Sequence, residues 1–133
     1  MKATQASYVD ASALMKLVIT EAESAVLRLA LQDHAIVSSA LGATEVRRAV
    51  GRIGWDEATA RAGRLLDSIE LLAVSDEVLD LAAQLEPSRL RTLDSIHVAT
   101  AAVLGEKVGQ LVTYDRRMVE AATLAGIAIS SPA

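Results

Sequence analysis

Five short apolar runs recur along the chain, and stretches of helical periodicity separate each from the next. They are Ser7-Tyr8-Val9, Ala35-Ile36-Val37-Ser38, Leu71-Leu72-Ala73-Val74, Leu111-Val112-Thr113-Tyr114 and Ile127-Ala128-Ile129. Each is short, partly β-branched and apolar enough to be buried on both faces, as the strands of a parallel sheet are. The helical candidates between them cover 12–19, 21–32, 40–52, 56–68, 76–85, 92–104 and 115–125. Their ends carry stop signals: Gly51 and Gly54 after the third, Pro87 after the fifth, Gly105 and Gly126 after the last two. Asp56 reads as an N-cap for the fourth, with Trp55 just outside it. A helix between successive strands is a crossover, and crossovers make the strands parallel. The expected fold is therefore a single α/β domain over residues 1–133, a central, mainly parallel, about five-stranded sheet flanked by α-helices.

A chain of 133 residues can bury a core without staples. The apolar share is 52%, but only Tyr8, Trp55 and Tyr114 are aromatic, so the core must be built from Ala, Leu, Val and Ile. The absence of cysteine removes both a disulfide framework and a thiolate metal site. Near the N-terminus Lys2 precedes polar residues, and the apolar runs break at Asp10, Lys16 and Glu21, which leaves no room for a secretory apolar region. No uninterrupted apolar span reaches the roughly 20 residues that cross a bilayer. The expectation is a soluble, cytoplasmic protein with no membrane association.

Two acids stand at strand ends. Asp10 follows the first run and Asp115 follows the fourth, and open parallel sheets bind ligands at the carboxyl ends of their strands. Both positions also suit helix capping. Glu45 lies in the apolar-rich segment Ala40-Leu41-Gly42-Ala43-Thr44-Glu45-Val46, and Asp94 opens a helix that is otherwise almost wholly apolar. An all-apolar helix is buried, so an acid in its first turn points into a cleft. If the four carboxylates converge they need a cation, because two at about 4 Å repel by ~4 kcal/mol at an effective dielectric near 20. All-oxygen ligation selects hard ions, Mg²⁺ or Mn²⁺. Spacing alone does not establish that they converge.

The formal net charge of −4 argues against a general nucleic-acid binder. Of 17 acids, setting these four aside leaves 13, which matches the 13 Lys and Arg. Ten of those are Arg, and Arg47, Arg48, Arg52, Arg89, Arg91, Arg116 and Arg117 lie close in sequence to one of the four acids. Arg47, Arg48, Arg116 and Arg117 are the candidates for contacts with a phosphate backbone. A solvated helix face is the alternative for each.

The same residues carry a resemblance. Tyr8-Val9-Asp10-Ala11-Ser12-Ala13-Leu14 resembles the opening motif of PIN domains, and Thr44-Glu45-Val46-Arg47-Arg48-Ala49 the second. Leu93-Asp94-Ser95-Ile96-His97-Val98-Ala99-Thr100-Ala101 resembles the third, and Leu111-Val112-Thr113-Tyr114-Asp115-Arg116-Arg117-Met118 the fourth. The pieces run in the expected order over most of the chain and are most similar to the VapC-type toxins. The resemblance implies a Mg²⁺- or Mn²⁺-dependent endoribonuclease that hydrolyses RNA phosphodiesters with metal-activated water. It also implies homodimerisation and neutralisation by a cognate antitoxin. Carried over by position, Asp10, Glu45, Asp94 and Asp115 form the acidic, metal-binding quartet, with Ser12 and Thr113 as accessory hydroxyls. Ser95 stands where Ala is common, a departure that leaves metal binding possible.

Other features have plainer readings. His97 follows Asp94 on the same helix face and reads as a structural histidine. His34 reads as a side chain favourable at a helix C-terminus. Trp55 reads as a helix-entry staple or as part of a groove for an antitoxin helix. Leu14, Leu17, Val18, Val26, Leu27, Leu29 and Ala30 are more apolar residues than one small core takes up, and some belong to a dimer or antitoxin surface. A phosphatase with Asp10 as nucleophile would want a second Asp at position 12, which is Ser, and a receiver domain would want an acid pair near the first strand. A catalytically silent PIN-like protein, acting through antitoxin or RNA complexes, is the remaining alternative. No DNA-reading helix or basic arm is visible, so direct DNA contact by this chain alone is not expected.

Overall fold

The computed structural model describes residues 5–133; Lys2 and the start of the N-terminal segment lie outside the described residues. Five strands form one sheet: β1 (Ala6–Val9), β2 (Ile36–Ser39), β3 (Glu70–Leu72), β4 (Val108–Val112) and β5 (Ile129–Ser130). All four pairings are parallel, and the spatial order is β3-β2-β1-β4-β5. The chain thus winds outward from β1 to β3, then returns to the other side of β1 and winds outward again. The reversal between β1 and β4 opens a crevice at their carboxyl ends.

Among the described residues seven α-helices cover both faces: α1 (Ala11–Val18), α2 (Ser24–Leu31), α3 (Ala40–Ile53), α4 (Asp56–Ser68), α5 (Asp76–Ala82), α6 (Thr92–Leu104) and α7 (Arg116–Leu124). Alternation along the strands sorts the core into two halves. Val9 and Val112 pack with Leu14, Leu27, Val46, Val50 and Leu66 from α1 to α4. Tyr8, Leu111 and Val37 point the other way, against Val98, Met118 and Ala121 of α6 and α7. From Ser95 to Ala101 every residue of α6 is buried, as its apolar sequence requires.

Several boundaries differ from the sequence expectation. β4 begins at Val108, where Gly109 and Gln110 dilute the apolar signal, and Thr113 and Tyr114 lie beyond its end. Asp56 lies inside the first turn of α4, and Trp55 takes the N-cap position without a side-chain cap. Trp55 is therefore not a staple; it is 45% exposed, with the Arg61 guanidinium 5.5 Å from its ring centroid. α3 ends on Gly54 in the left-handed conformation (φ 70°), which glycine adopts without a Cβ penalty. Among the apolar residues of α1 and α2, Leu14, Val18 and Leu27 are buried, while Val26, Leu29 and Ala30 face out. No helix among the described residues is long and apolar enough to cross a membrane.

Candidate active site

At the carboxyl end of β1 the chain turns directly into α1, and Asp10 is the residue at the turn. Its amide donates to Val112 O (3.2 Å), which fixes it beside the end of β4. The side chain caps α1: Oδ1 accepts from the Ala13 amide (3.0 Å) and from Ser12 Oγ (2.7 Å). The other oxygen, Oδ2, accepts from Thr113 Oγ1 (2.6 Å). Both hydroxyls are themselves held from the β4 side. Ser12 Oγ accepts from the Tyr114 amide and Thr113 Oγ1 from the Asp115 amide, each at 3.1 Å. Asp10 is only 2% exposed, and burial pushes its carboxyl above the usual range despite the pull of the Thr113, Ser12 and Ala13 donors.

Asp115 caps α7, its Oδ1 accepting from the Arg117 amide at 2.9 Å. Asp94 sits in the first turn of α6 and is partly buried. Burial raises its carboxyl, and the negative charge of Asp115 raises it further; Glu45 and Asp10 add to the effect while His97 opposes it. Glu45 is carried in on α3, which approaches closely because residue 42 is glycine. A Cβ there would lie 2.8 Å from Ser38 Oγ and 3.2 Å from His97 Cε1. Glu45 Oε1 meets His97 Nε2 at 2.5 Å, and His97 Nδ1 meets the Tyr8 hydroxyl at 2.7 Å. One tautomer satisfies both contacts: Nε2–H donates to the carboxylate while the buried Tyr8 O–H donates to Nδ1.

Asp10, Glu45, Asp94 and Asp115 line one small cleft of about 110 Å³, together with Ala11, Ser12, His97 and Met118. Hollows of about 370 and 350 Å³ lie elsewhere on the surface, but neither gathers more than one carboxylate. The acid cleft is distinguished by its chemistry and not by its size. The carboxylates do not stand as a ready-made ligand set. Among the described residues no three Asp, Glu or His side chains are close enough together to hold a metal ion. Asp10 is engaged by hydroxyls and Glu45 by His97. No buried side-chain nitrogen or oxygen among the described residues lacks a partner.

The four arginines singled out from the sequence are all exposed, and none lines this cleft. Arg47 borders a separate hollow with Val50, Thr59 and Ala62. Arg117 borders another, shared with Arg89 and Arg91. His34 does not cap a helix, since α2 ends at Leu31; its Nδ1 meets Ser7 Oγ at 2.8 Å. His97 is buried, as a structural histidine should be, but it also binds one of the four acids. The sequence signal was its place one turn after Asp94. Its partner Glu45 stands 52 residues away and carries no local sign of the contact.

Comparison with known proteins follows the same lines. A family profile described as PIN domain matches residues 7–124. Ribonuclease VapC46 of Mycobacterium tuberculosis is 48% identical over 129 residues, which cover 96% of this chain and 98% of the relative. Ribonuclease VapC47 of the same species is 38% identical over 130 residues, 94% of this chain and 96% of the relative. Among solved structures, Mycobacterium tuberculosis VapC20, described as a sarcin-ricin loop cleaving toxin, superposes with a TM-score of 0.72 at 17% identity, covering 96% of this chain and 100% of that one. VapBC2 from Rickettsia felis, bound to a DNA fragment from its promoter, gives a TM-score of 0.75 at 11% identity, covering 97% of this chain and 100% of that one.

Proposed function

The chain belongs to the PIN domain family as a VapC-type member, and from that premise we propose that it is a metal-dependent endoribonuclease, the toxin of a toxin–antitoxin pair. The observation that carries the reading is the gathering of Asp10, Glu45, Asp94 and Asp115, from four separate segments, around one cleft at the β1/β4 reversal. Four carboxylates line the cleft without a lysine or arginine among them, and the Asp94 carboxyl is raised first by burial and then by the charge of Asp115, which His97 only partly opposes. The donor set is oxygen only, which fits a hard divalent cation. Mg²⁺ or Mn²⁺ held by Asp10, Glu45, Asp94 and Asp115 would supply Lewis acidity and charge neutralisation for phosphodiester hydrolysis.

The protein's own part is positioning. Ser12, Thr113 and the Ala13 amide hold the Asp10 carboxylate in one orientation at the cleft floor. Because these donors are neutral, they orient the carboxylate without cancelling its charge. His97 orients Glu45 in the same way, anchored by Tyr8 beneath it. Asp94 and Asp115 ride on the first turn of α6 and the N-cap of α7, rigid elements that fix their separation.

The VapBC2 neighbour is a toxin–antitoxin complex on promoter DNA. By analogy this chain pairs with an antitoxin that makes the DNA contacts, in the cytoplasm. Exposed Val26 and Leu29 on α2 are assigned to a homodimer or antitoxin surface. The test compares growth and total RNA after induction of the wild-type chain, Asp10→Ala and Asp94→Ala. Arrest with discrete RNA fragments, lost in both folded variants, is the expected result. Arrest that persists unchanged in both would overturn the nuclease reading in favour of a binding role.

A further inference from the structure

A hollow of about 350 Å³, separate from the acid cleft, is lined by Pro87, Arg89, Leu90, Arg91, Arg117 and Glu120. Three guanidinium side chains border it, and two of them stand at the same helix starts as two acids of the candidate active site. Arg91 is the N-cap residue of α6, one turn before Asp94. Arg117 is in the first turn of α7, and its amide donates to Asp115. Arg89 reaches across to the carboxylate of Glu120 on α7, at 3.1 and 3.2 Å to its two oxygens. That pair is open to solvent, with side-chain exposures of 75% and 48%, so it contributes little to stability.

We propose that this hollow binds a backbone phosphate of the RNA strand, one or a few nucleotides from the bond cut at the acid cleft, and that Glu120 occupies the phosphate's place on Arg89 in the free protein. The proposal rests on the nuclease reading for the identity of the strand. A guanidinium pairs with phosphate and carboxylate alike, so the Glu120 carboxylate, held through both oxygens by one Arg89 nitrogen, marks where a phosphate fits. The cleft itself is acidic and repels the strand; a substrate is held only if cationic side chains outside it meet the flanking phosphates. Pro87 and Leu90 give the same hollow an apolar wall against which a sugar or base can lie. The first turns of α6 and α7 add their partial positive charge to the arginines.

The experiment measures binding apart from cleavage. A short fluorescein-labelled single-stranded RNA of mixed sequence is titrated with the full chain in EDTA, at several salt concentrations, and read by anisotropy. Arg89→Ala with Arg91→Ala should weaken binding about tenfold at low salt and flatten the salt dependence by about 1.4 in log–log slope, two contacts at ~0.7 each. Glu120→Gln should tighten binding a few-fold. The controls Lys107→Ala and Glu106→Gln each remove one charge of the matching sign at the opposite, amino end of β4 and should change little. Equal effects per charge removed in both sets would overturn the proposal, because charge alone would explain them. Unchanged RNA binding in the arginine pair, with polyglutamate binding lost, would overturn it in favour of an acidic protein partner. Loss of RNA binding in that pair, in a protein that cuts no RNA, would sustain the hollow and remove the nuclease.

Discussion

Replacing Thr113 by valine isolates what the hydroxyl network does for the buried acid. The side chain is fully buried and valine copies its shape, so packing is preserved. Two interactions go. Asp10 Oδ2 loses a 2.6 Å donor, and a hydrogen bond to a charged group contributes about 1.5–3 kcal/mol. The Asp115 amide loses its acceptor, a further about 0.5–1.5 kcal/mol at a position water partly reaches. Together they predict a loss of about 2–4 kcal/mol at neutral pH. For 133 residues, unfolding entropy near 2.1 cal/mol/K per residue gives about 3.6 °C per kcal/mol, so Tm should fall by about 7–15 °C.

The pH dependence makes the test sharper. The folded Asp10 carboxyl already holds its proton more tightly than the ordinary value of 3.8, with burial the main cause and Thr113 the first of the opposing donors. A group whose folded value is raised contributes most in acid, and that contribution is lost as pH rises from the unfolded value through the folded one. Valine raises the folded value further. Both proteins lose that contribution alike from 3.8 up to the wild-type folded value, so the deficit against wild type should widen only as pH climbs past that value towards the variant's still higher one. Thermal melts in EDTA from pH 4 to 8, with Thr113→Ser as the variant that keeps the hydroxyl, measure it. A deficit that is the same at every pH, or below about 1 kcal/mol at pH 7, would refute the idea that Thr113 steadies an ionised carboxylate.

Three further outcomes are expected. Gly42→Ala should destabilise by about 1–2 kcal/mol in a denaturant titration, since its Cβ meets Ser38 Oγ at 2.8 Å and that hydroxyl is tied to Val9 O, outweighing alanine's better helix propensity. His97→Leu removes both ring nitrogens with a small change in volume, so the buried Tyr8 hydroxyl loses its imidazole partner and Glu45 is freed. Stability should fall by about 1–3 kcal/mol, and RNA cleavage per folded molecule about 10- to 100-fold. Mg²⁺ or Mn²⁺ at about 100 times its dissociation constant should stabilise the wild-type chain by about 2.7 kcal/mol. Asp94→Asn should blunt that gain, and a shift equal in both proteins would argue against Asp94 as a ligand.

Elements with uniform local chemistry were legible in the sequence. α6 runs over the residues its apolar pattern marks, because every face of it is buried and nothing dilutes the signal. β4 starts earlier than its apolar run suggests, because Gly109 and Gln110 hide its first half. That half forms because Val108 and Gln110 pair with Ala6 and Ser7 of β1, a long-range contact that no local pattern records. Trp55 and Asp56 exchanged roles at the start of α4 for a similar reason: Asp56 adds charge to the first turn while Trp55 lies against Arg61. The four acids could be found by position, two at strand ends and two in apolar helical segments. The groups that hold them could not: Thr113 is 103 residues from Asp10, and His97 is 52 from Glu45.

That hidden layer explains why neutral donors surround the Asp10 carboxyl. A lysine or arginine beside Asp10 would hold the carboxylate more strongly, but it would also cancel the charge on which a cation site depends. Two hydroxyls and an amide orient the Asp10 oxygens and leave that charge in place. The burial of Asp10 and the crowding at Asp94 raise the free energy of the metal-free protein. The same arrangement keeps the arginines outside the cleft, where Arg89, Arg91 and Arg117 face a second hollow. Moving an arginine inward, as in Ser12→Arg, should lower the Asp10 carboxyl and abolish divalent-ion stabilisation together. Retained metal stabilisation in a folded Ser12→Arg protein would contradict this account of why the two charge classes are kept apart.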